Sequence, residues 1–198
     1  MAVVFRVSIR APLVARRADR VGRAHCGSGA RDLRSLSAGA LTPWATVAGW
    51  DPGCSGAVCA LILNSRGQVE AVESIRFKRT TDADVVEFIQ EMRPDFTILE
   101  RVSSFGQGRT SAFKFGASSG FAQGALLATG LAFELVTPQK WQTGLSVPKS
   151  EGAQRKRELK AIAQRMYPGR KLVLEDADAH LLAEIARRMF VARARVRE

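Results

Sequence analysis

The feature that most constrains the fold is a turn between two apolar runs. Residues 47–50 are followed by Asp51, by a Pro- and Gly-containing stretch at 52–56, and by the apolar run 57–63. Two such runs around a turn predict a β-hairpin, with Asp51 at the end of its first, buried strand. Asp51 either merely nucleates the turn or is a carboxylate that is costly to ionise there unless a cation or hydrogen bonds satisfy it.

The pattern downstream alternates between strand and helix periodicity, which predicts an α/β fold. A strand over 96–99 ends on Glu100, the second carboxylate at a strand end. Three hairpin-linked strands, a helix and then this strand would place Asp51 and Glu100 side by side. The pattern predicts further strands at 69–77 and 131–136, and helices beginning at Thr81 and Pro138 and covering 111–129, 153–167 and about 175–191.

The last predicted helix opens with a third group of acidic residues, Glu175, Asp176 and Asp178. Glu175 and Asp178, three positions apart, share a helix face, whereas Asp176 points elsewhere and is expected to cap the helix. Part of this group could be plain capping, because the helix dipole favours acidic residues in a first turn.

Clustered carboxylates without His or Cys suit Mg²⁺ or Mn²⁺. Two such ions ~4 Å apart would support phosphodiester hydrolysis. Asp51, Glu100, Glu175 and Asp178 could therefore share such ions.

The net charge of +11, from 30 Lys and Arg against 19 Asp and Glu, predicts a polyanionic partner. Charge alone does not choose between DNA, RNA and an anionic membrane. No apolar run approaches the ~20 residues that span a bilayer, so we expect no transmembrane helix.

The first 44 residues are rich in Arg, Ala, Ser and Gly, and they lack sustained apolar periodicity. Eight arginines and two aspartates give residues 1–45 a net charge of +6. This composition predicts an organelle transit peptide, with a disordered basic arm as the alternative, and leaves 45–198 as the folded domain.

Two features of the predicted helices allow more than one interpretation. Gly116, Gly120 and Gly124 lie four residues apart, which indicates that another backbone approaches there, either the protein's own sheet or a second subunit. The basic residues of the helix over 153–167 either contact phosphates or form a solvated face. They include Arg155, Lys156 and Arg157.

Three motifs follow one another along the chain. The first is Gly49-Trp50-Asp51-Pro52-Gly53-x-Ser55-Gly56, and the others are Glu100-x-Val102-Ser103 and Asp178-Ala179-x-Leu181-Leu182-Ala183. They occur in the order found in RuvC-type Holliday junction resolvases, and the chain resembles that family over about residues 46–190. Gly106-Gln107-Gly108 and Thr137-Pro138-Gln139-Lys140-Trp141 look most like the chloroplast branch and related phage enzymes.

This resemblance implies an RNase H-like fold, in which a mixed five-stranded sheet with its first three strands antiparallel is flanked by helices. It also implies a chloroplast homodimer, with the mitochondrion as the alternative location. The dimer would use Mg²⁺ to nick opposing strands of a four-way DNA junction. The family's ligand roles carry over to Asp51, Glu100 and Asp178. Glu175 is the expected fourth ligand and Asp176 the fallback.

DNA contacts are predicted from a polar loop and from two lysines. The loop residues Phe105, Gln107, Arg109 and Lys114 are placed to enter the branch point, where aromatic side chains could stack on unpaired bases. Phe113 could stack there or pack in the core. Lys140 and Lys149 could hold phosphates.

Two other functions remain open. One is a branched-DNA-binding protein of the same fold that has lost the chemistry. The other is an actin- or sugar-kinase-like phosphotransfer domain, because residues 51–56 resemble the phosphate-binding hairpin of those proteins.

Overall fold

The computed structural model describes residues 44–101, 108–145, 147 and 150–196. The predicted leader falls almost wholly outside these ranges. The strands are β1 (Ala45–Asp51), β2 (Ala57–Leu63), β3 (Val69–Arg76), β4 (Phe96–Glu100) and β5 (Phe133–Val136). The helices are α1 (Asp82–Met92), α2 (Arg109–Ala128), α3 (Pro138–Thr143), α4 (Gly152–Met166) and α5 (Leu174–Arg195).

The strands form one mixed sheet in the order β3-β2-β1-β4-β5. β1 pairs antiparallel with β2, and β2 with β3, whereas β4 runs parallel to both β1 and β5. The predicted fold class, an RNase H-like mixed five-stranded sheet with its first three strands antiparallel, is confirmed.

Helices cover both faces of the sheet and bury two apolar clusters. On one face, α3, α4 and α5 pack over alternate residues of the central strands, including Val47, Leu61 and Ile98. On the other face, α1 and α2 pack over the intervening residues, including Trp50, Val58 and Leu99. Because successive strand side chains point to opposite faces, the register decides which side chains α5 covers.

Local signals explain where α1 begins. The Thr81 hydroxyl accepts a hydrogen bond from the Asp84 N–H at 3.2 Å, and the Asp84 carboxylate accepts one from the Thr81 N–H at 2.7 Å. This reciprocal pair is a capping box, which satisfies two amides at the helix start. Among the helices in the described ranges, none is long and apolar enough to cross a membrane.

Some predicted boundaries were wrong, and packing explains the differences. β5 begins at Phe133 instead of Leu131, because the Leu131 N–H bonds the carbonyl of Leu126 at 2.9 Å and so belongs to the end of α2. α5 continues past Val191 to Arg195, since Arg193 pairs with Glu134 at 2.8 Å and lies 4.8 Å from the Phe96 ring centre.

Candidate active site

Asp51 ends β1 at the sheet edge where the hairpin turns. Its Oδ1 accepts the Gly53 N–H at 3.0 Å, so the carboxylate does help to form the turn. A Cβ on Gly56 would lie 2.2 Å from the Asp51 carbonyl oxygen, which explains the glycine at that position. The turn also touches α2, where the Ser118 hydroxyl donates to the Pro52 carbonyl.

Glu100 lies beside Asp51 on the neighbouring parallel strand. Trp50 pairs with Leu99, and both point toward α1 and α2. Asp51 and Glu100, one position further along each strand, therefore point to the α5 face. The sequence-based prediction that the two strand ends bring these carboxylates together agrees with this register.

Asp178 reaches the same region because α5 lies directly on β1. A Cβ on Gly49 would meet the Ala183 nitrogen at 2.1 Å and the Ala179 oxygen at 2.4 Å, both backbone atoms of α5. The helix thus crosses the strand two residues before Asp51, and Asp178 immediately precedes the contact residue Ala179. Gly49 opens the motif at residues 49–56, but the sequence pattern did not predict this close approach.

Electrostatics links the three carboxylates. Burial raises the pKa of Asp51, although the Gly53 hydrogen bond opposes the shift. Burial also raises the pKa of Glu100 to about 7; the Asp51 charge adds to this shift, a hydrogen bond from Trp141 opposes it, and Asp178 adds further repulsion. Burial and the Asp51 charge likewise raise the pKa of Asp178 to about 7. Each pair in the cluster therefore interacts, and a cation would relieve both desolvation and repulsion.

The two other acidic residues in the first turn of α5 differ in their partners. The buried Asp176 accepts the Val173 N–H at 2.9 Å and so caps the helix from its first turn. Glu175 is partly exposed and lies 3.8 Å from the Lys78 ammonium. Because Asp176 is committed to capping, Glu175 is the freer of the two, and its role as the fourth ligand stays a prediction.

The donor set suits a hard cation, although it is not drawn together around one. Within the described ranges, no group of three or more His, Cys, Asp or Glu side chains is arranged so that it could hold a metal ion as it stands. The half-buried carboxylates Asp51, Glu100 and Asp178 supply only oxygen donors, which match Mg²⁺ or Mn²⁺ in chemistry.

Positive charge approaches the cluster from the start of α4. Burial raises the pKa values of Asp51 and Asp178, and the positive charge of Lys156 opposes both shifts. The charge of Arg155 also opposes the shift at Asp178. Arg155 is held in place by the Ser150 carbonyl at 2.8 Å and by the Gln142 side chain. Arg155 is half-buried whereas Lys156 is exposed, and phosphate contact by either residue stays a prediction.

The predicted DNA contacts are only partly described. Phe105, Gln107 and Lys149 lie outside the described residues. Arg109 and Lys114 are exposed on the first two turns of α2. Lys140 is exposed and lies 3.7 Å from Glu134, so it pairs with a surface carboxylate.

Phe113 and His180 differ in burial, since the first is exposed and the second is in the core. Phe113 is 78% exposed, so the prediction that it could pack in the core was wrong. His180, a residue of α5, is buried. Its Nδ1 lies 2.7 Å from the Asp176 carbonyl, and its ring packs against Tyr167.

Trp141 is the site residue that the sequence interpretation missed. Its indole N–H donates to Glu100 Oε1 at 2.9 Å, and its side chain is 1% exposed. The only available signal was a Trp three residues after the Pro that opens the short helix after β5. That spacing predicted α3 but not the residue that its Trp contacts.

Comparison with known proteins finds a likeness at the level of the fold. No protein-family model matches the sequence. A comparison with curated proteins likewise finds no match. The Thermus thermophilus RuvC structure is 19% identical with a TM-score of 0.54, over 75% of this chain and 96% of that one. T. thermophilus RuvC in complex with a Holliday junction substrate is also 19% identical, with a TM-score of 0.53 over the same shares.

Proposed function

We propose that this protein is a metal-dependent endonuclease that resolves four-way DNA junctions by paired, symmetric nicks. The observation that carries the proposal is the placement of Asp51 and Glu100 on adjacent parallel strands, with Asp178 within electrostatic reach from α5. Buried carboxylates that repel one another weaken a fold unless a cation offsets them. A functional site is a physical reason to keep them together.

The three carboxylates, with Glu175, would hold Mg²⁺ or Mn²⁺. Two bound ions would supply an activated water and stabilise the leaving oxygen of a phosphodiester. The chain's own contributions are to orient the carboxylates at fixed strand and helix ends and to limit water around them by partial burial. Lys156 and Arg155 add positive charge beside the cluster, where a DNA phosphate would arrive.

Branched DNA is the proposed substrate for reasons of charge and of fold. The whole chain carries a net charge of +11. Lys and Arg side chains hold a nucleic acid mainly through its phosphates. The structurally similar T. thermophilus RuvC binds a Holliday junction substrate. The nearest family branch, chloroplast and phage, remains part of the proposal.

A homodimer would place two such sites on one junction. The outer face of α2 carries the three glycines at 116, 120 and 124, where an added Cβ would meet nothing within 4 Å. The protein's own sheet is therefore not the backbone that approaches them. Phe113 and Leu127 on the same face are 78% and 63% exposed. Exposed large apolar side chains around small residues suit a second copy of the chain.

Activity on a synthetic four-way junction tests the proposal. The purified full chain with Mg²⁺ should nick two opposing strands symmetrically. Asp51→Asn and Glu100→Gln should bind the junction but lose nicking by ~100-fold or more, since each removes a charged metal ligand. Glu91→Gln, on the exposed surface of α1, is the matched control and should nick normally.

One result would overturn the enzyme assignment. Junction binding without nicking in either Mg²⁺ or Mn²⁺ would identify a binding protein of the same fold.

We further propose that residues 1–44 direct the chain to the chloroplast, or alternatively to the mitochondrion. Sequencing of the organellar protein should then find a mature N-terminus between about residues 35 and 46, and intact Met1 would contradict it.

A further inference from the structure

Trp141 makes a hydrogen bond of fixed polarity to the proposed site. An indole N–H can only donate, so the acceptor is the Glu100 carboxylate, through Oε1 at 2.9 Å. Within the described part of the chain, Glu100 Oε2 accepts no hydrogen bond. The carboxylate therefore has one oxygen tied to the protein interior and one oxygen without a described partner.

The indole itself is held from several sides. The Glu100 backbone pairs with Val136 at the end of β5, and α3 begins two residues later with Pro138, after the Thr137 cap. Trp141 is 1% exposed and packs in the cluster beneath α5. Space at the end of α3 is also tight, since a Cβ on Gly144 would lie 3.2 Å from Ile185 and 3.4 Å from the Trp141 carbonyl oxygen.

We propose that Trp141 is a positioning residue for the divalent-metal site. By holding Glu100 Oε1, its N–H would fix the orientation of the carboxylate and leave Oε2 available to a divalent ion. This inference rests on the proposed metal-dependent function and deepens it. Partners that orient metal ligands in this way commonly change metal affinity by about 10- to 100-fold when they are removed.

Trp141→Phe separates the hydrogen bond from the packing, because Phe keeps an aromatic ring but has no N–H. We expect Mn²⁺ to bind the full-length variant about 10-fold more weakly than wild type, measured by calorimetry without DNA. Ile185→Val, in the same apolar cluster, is the matched control. It should lower stability slightly and leave the Mn²⁺ affinity unchanged. If Trp141 had a purely structural role, Trp141→Phe would behave in the same way as Ile185→Val.

A double-mutant cycle tests whether the indole acts through Glu100. In a Glu100→Ala background, Trp141→Phe should cause no further loss of Mn²⁺ affinity, because the group that the indole orients has been removed. An equal loss in both backgrounds would overturn the positioning role.

The indole N–H also gives a direct spectroscopic readout. The chain contains three tryptophans, and Trp→Phe variants assign their N–H resonances in a ¹H–¹⁵N spectrum. Saturating Mg²⁺ should shift the Trp141 resonance most. The resonance of Trp44, which packs on Phe190 away from the site, should stay in place.

The possible failures are distinguishable. Wild-type Mn²⁺ affinity in Trp141→Phe, or a Trp141 resonance that ignores Mg²⁺ while calorimetry shows binding, would overturn the positioning role alone. A wild-type chain that binds neither ion would overturn the positioning role together with the proposed reaction. Nicking that survives alongside unchanged affinity in Trp141→Phe would leave the function standing without this role for the indole.

Discussion

At the scale of single residues, Gly49 has the narrowest tolerance in the proposed site. Its missing side chain lets the backbone of α5 rest on β1, and an added Cβ would lie within 2.6 Å of three backbone atoms of α5. Backbone in the middle of a long helix cannot move aside as the end of a flexible side chain can. The position of Asp178 therefore depends on a glycine that has no chemistry of its own.

We predict that Gly49→Ala destabilises the protein severely. The added methyl group must push α5 away from the sheet, and overpacking of this kind lowers the free energy of unfolding by about 3 kcal/mol or more. Urea unfolding followed by circular dichroism measures the change. Gly169→Ala, where a Cβ would meet nothing within 4 Å, should stay within ~0.5 kcal/mol of wild type. Equal urea midpoints for Gly49→Ala and wild type would contradict this account.

Sequence reasoning could place Asp51 and Glu100 at strand ends because strand periodicity is a local signal. It indicates roughly where each strand ends and to which face its residues point. The contact between Trp141 and Glu100 could not be predicted in this way. It depends on how α3 folds back against the sheet, a tertiary arrangement that no period in residues 138–143 encodes.

At the scale of elements, α2 differs from the other helices in what it leaves uncovered. Its inner side buries Ala122, Ala125 and Leu126, whereas its outer side exposes Phe113, Leu127 and the three glycines. The sequence indicated a close approach along these glycines but not which partner makes it. The open space at each glycine now excludes the protein's own sheet and favours a subunit.

We predict that Gly120→Leu converts a dimer into a folded monomer. The new side chain has space in the single chain, where a Cβ meets nothing within 4 Å, but would keep a second backbone from approaching. Light scattering after size-exclusion chromatography should show a dimer for wild type and a monomer for the variant, and circular dichroism should show that the variant is still folded. Ala161→Leu, at an exposed position of α4, should remain dimeric. A monomeric wild-type protein would refute the proposed α2 interface.

At the scale of the whole molecule, stability and the proposed function oppose each other at the carboxylate cluster. Glu100 and Asp178 have pKa values of about 7 in the folded chain, well above those of unfolded Glu and Asp. The folded state thus holds protons that the unfolded state releases between about pH 4 and pH 7. Stability from these groups is present at low pH and is lost as the pH rises through the folded pKa.

We predict that Glu100→Gln is more stable than wild type in EDTA, by a margin that grows from pH 5.5 to pH 8. Each unit of pKa difference between the folded and unfolded states is worth ~1.4 kcal/mol, so the melting temperatures should separate by a few degrees. Comparing the two proteins cancels the contribution of buried His180, whose lowered pKa makes stability rise with pH in the same window.

Divalent metal should reverse this advantage, which links the stability of the whole molecule to the proposed chemistry. Bound Mg²⁺ or Mn²⁺ would neutralise the wild-type carboxylates and stabilise the folded state by mass action, whereas the Gln variant lacks one charged ligand. The wild-type melting temperature at pH 8 should therefore rise with metal more than that of Glu100→Gln. Glu91→Gln should follow wild type under every condition. A difference in melting temperature between wild type and Glu100→Gln that does not change with pH would show that the pKa of Glu100 is not raised in the folded state.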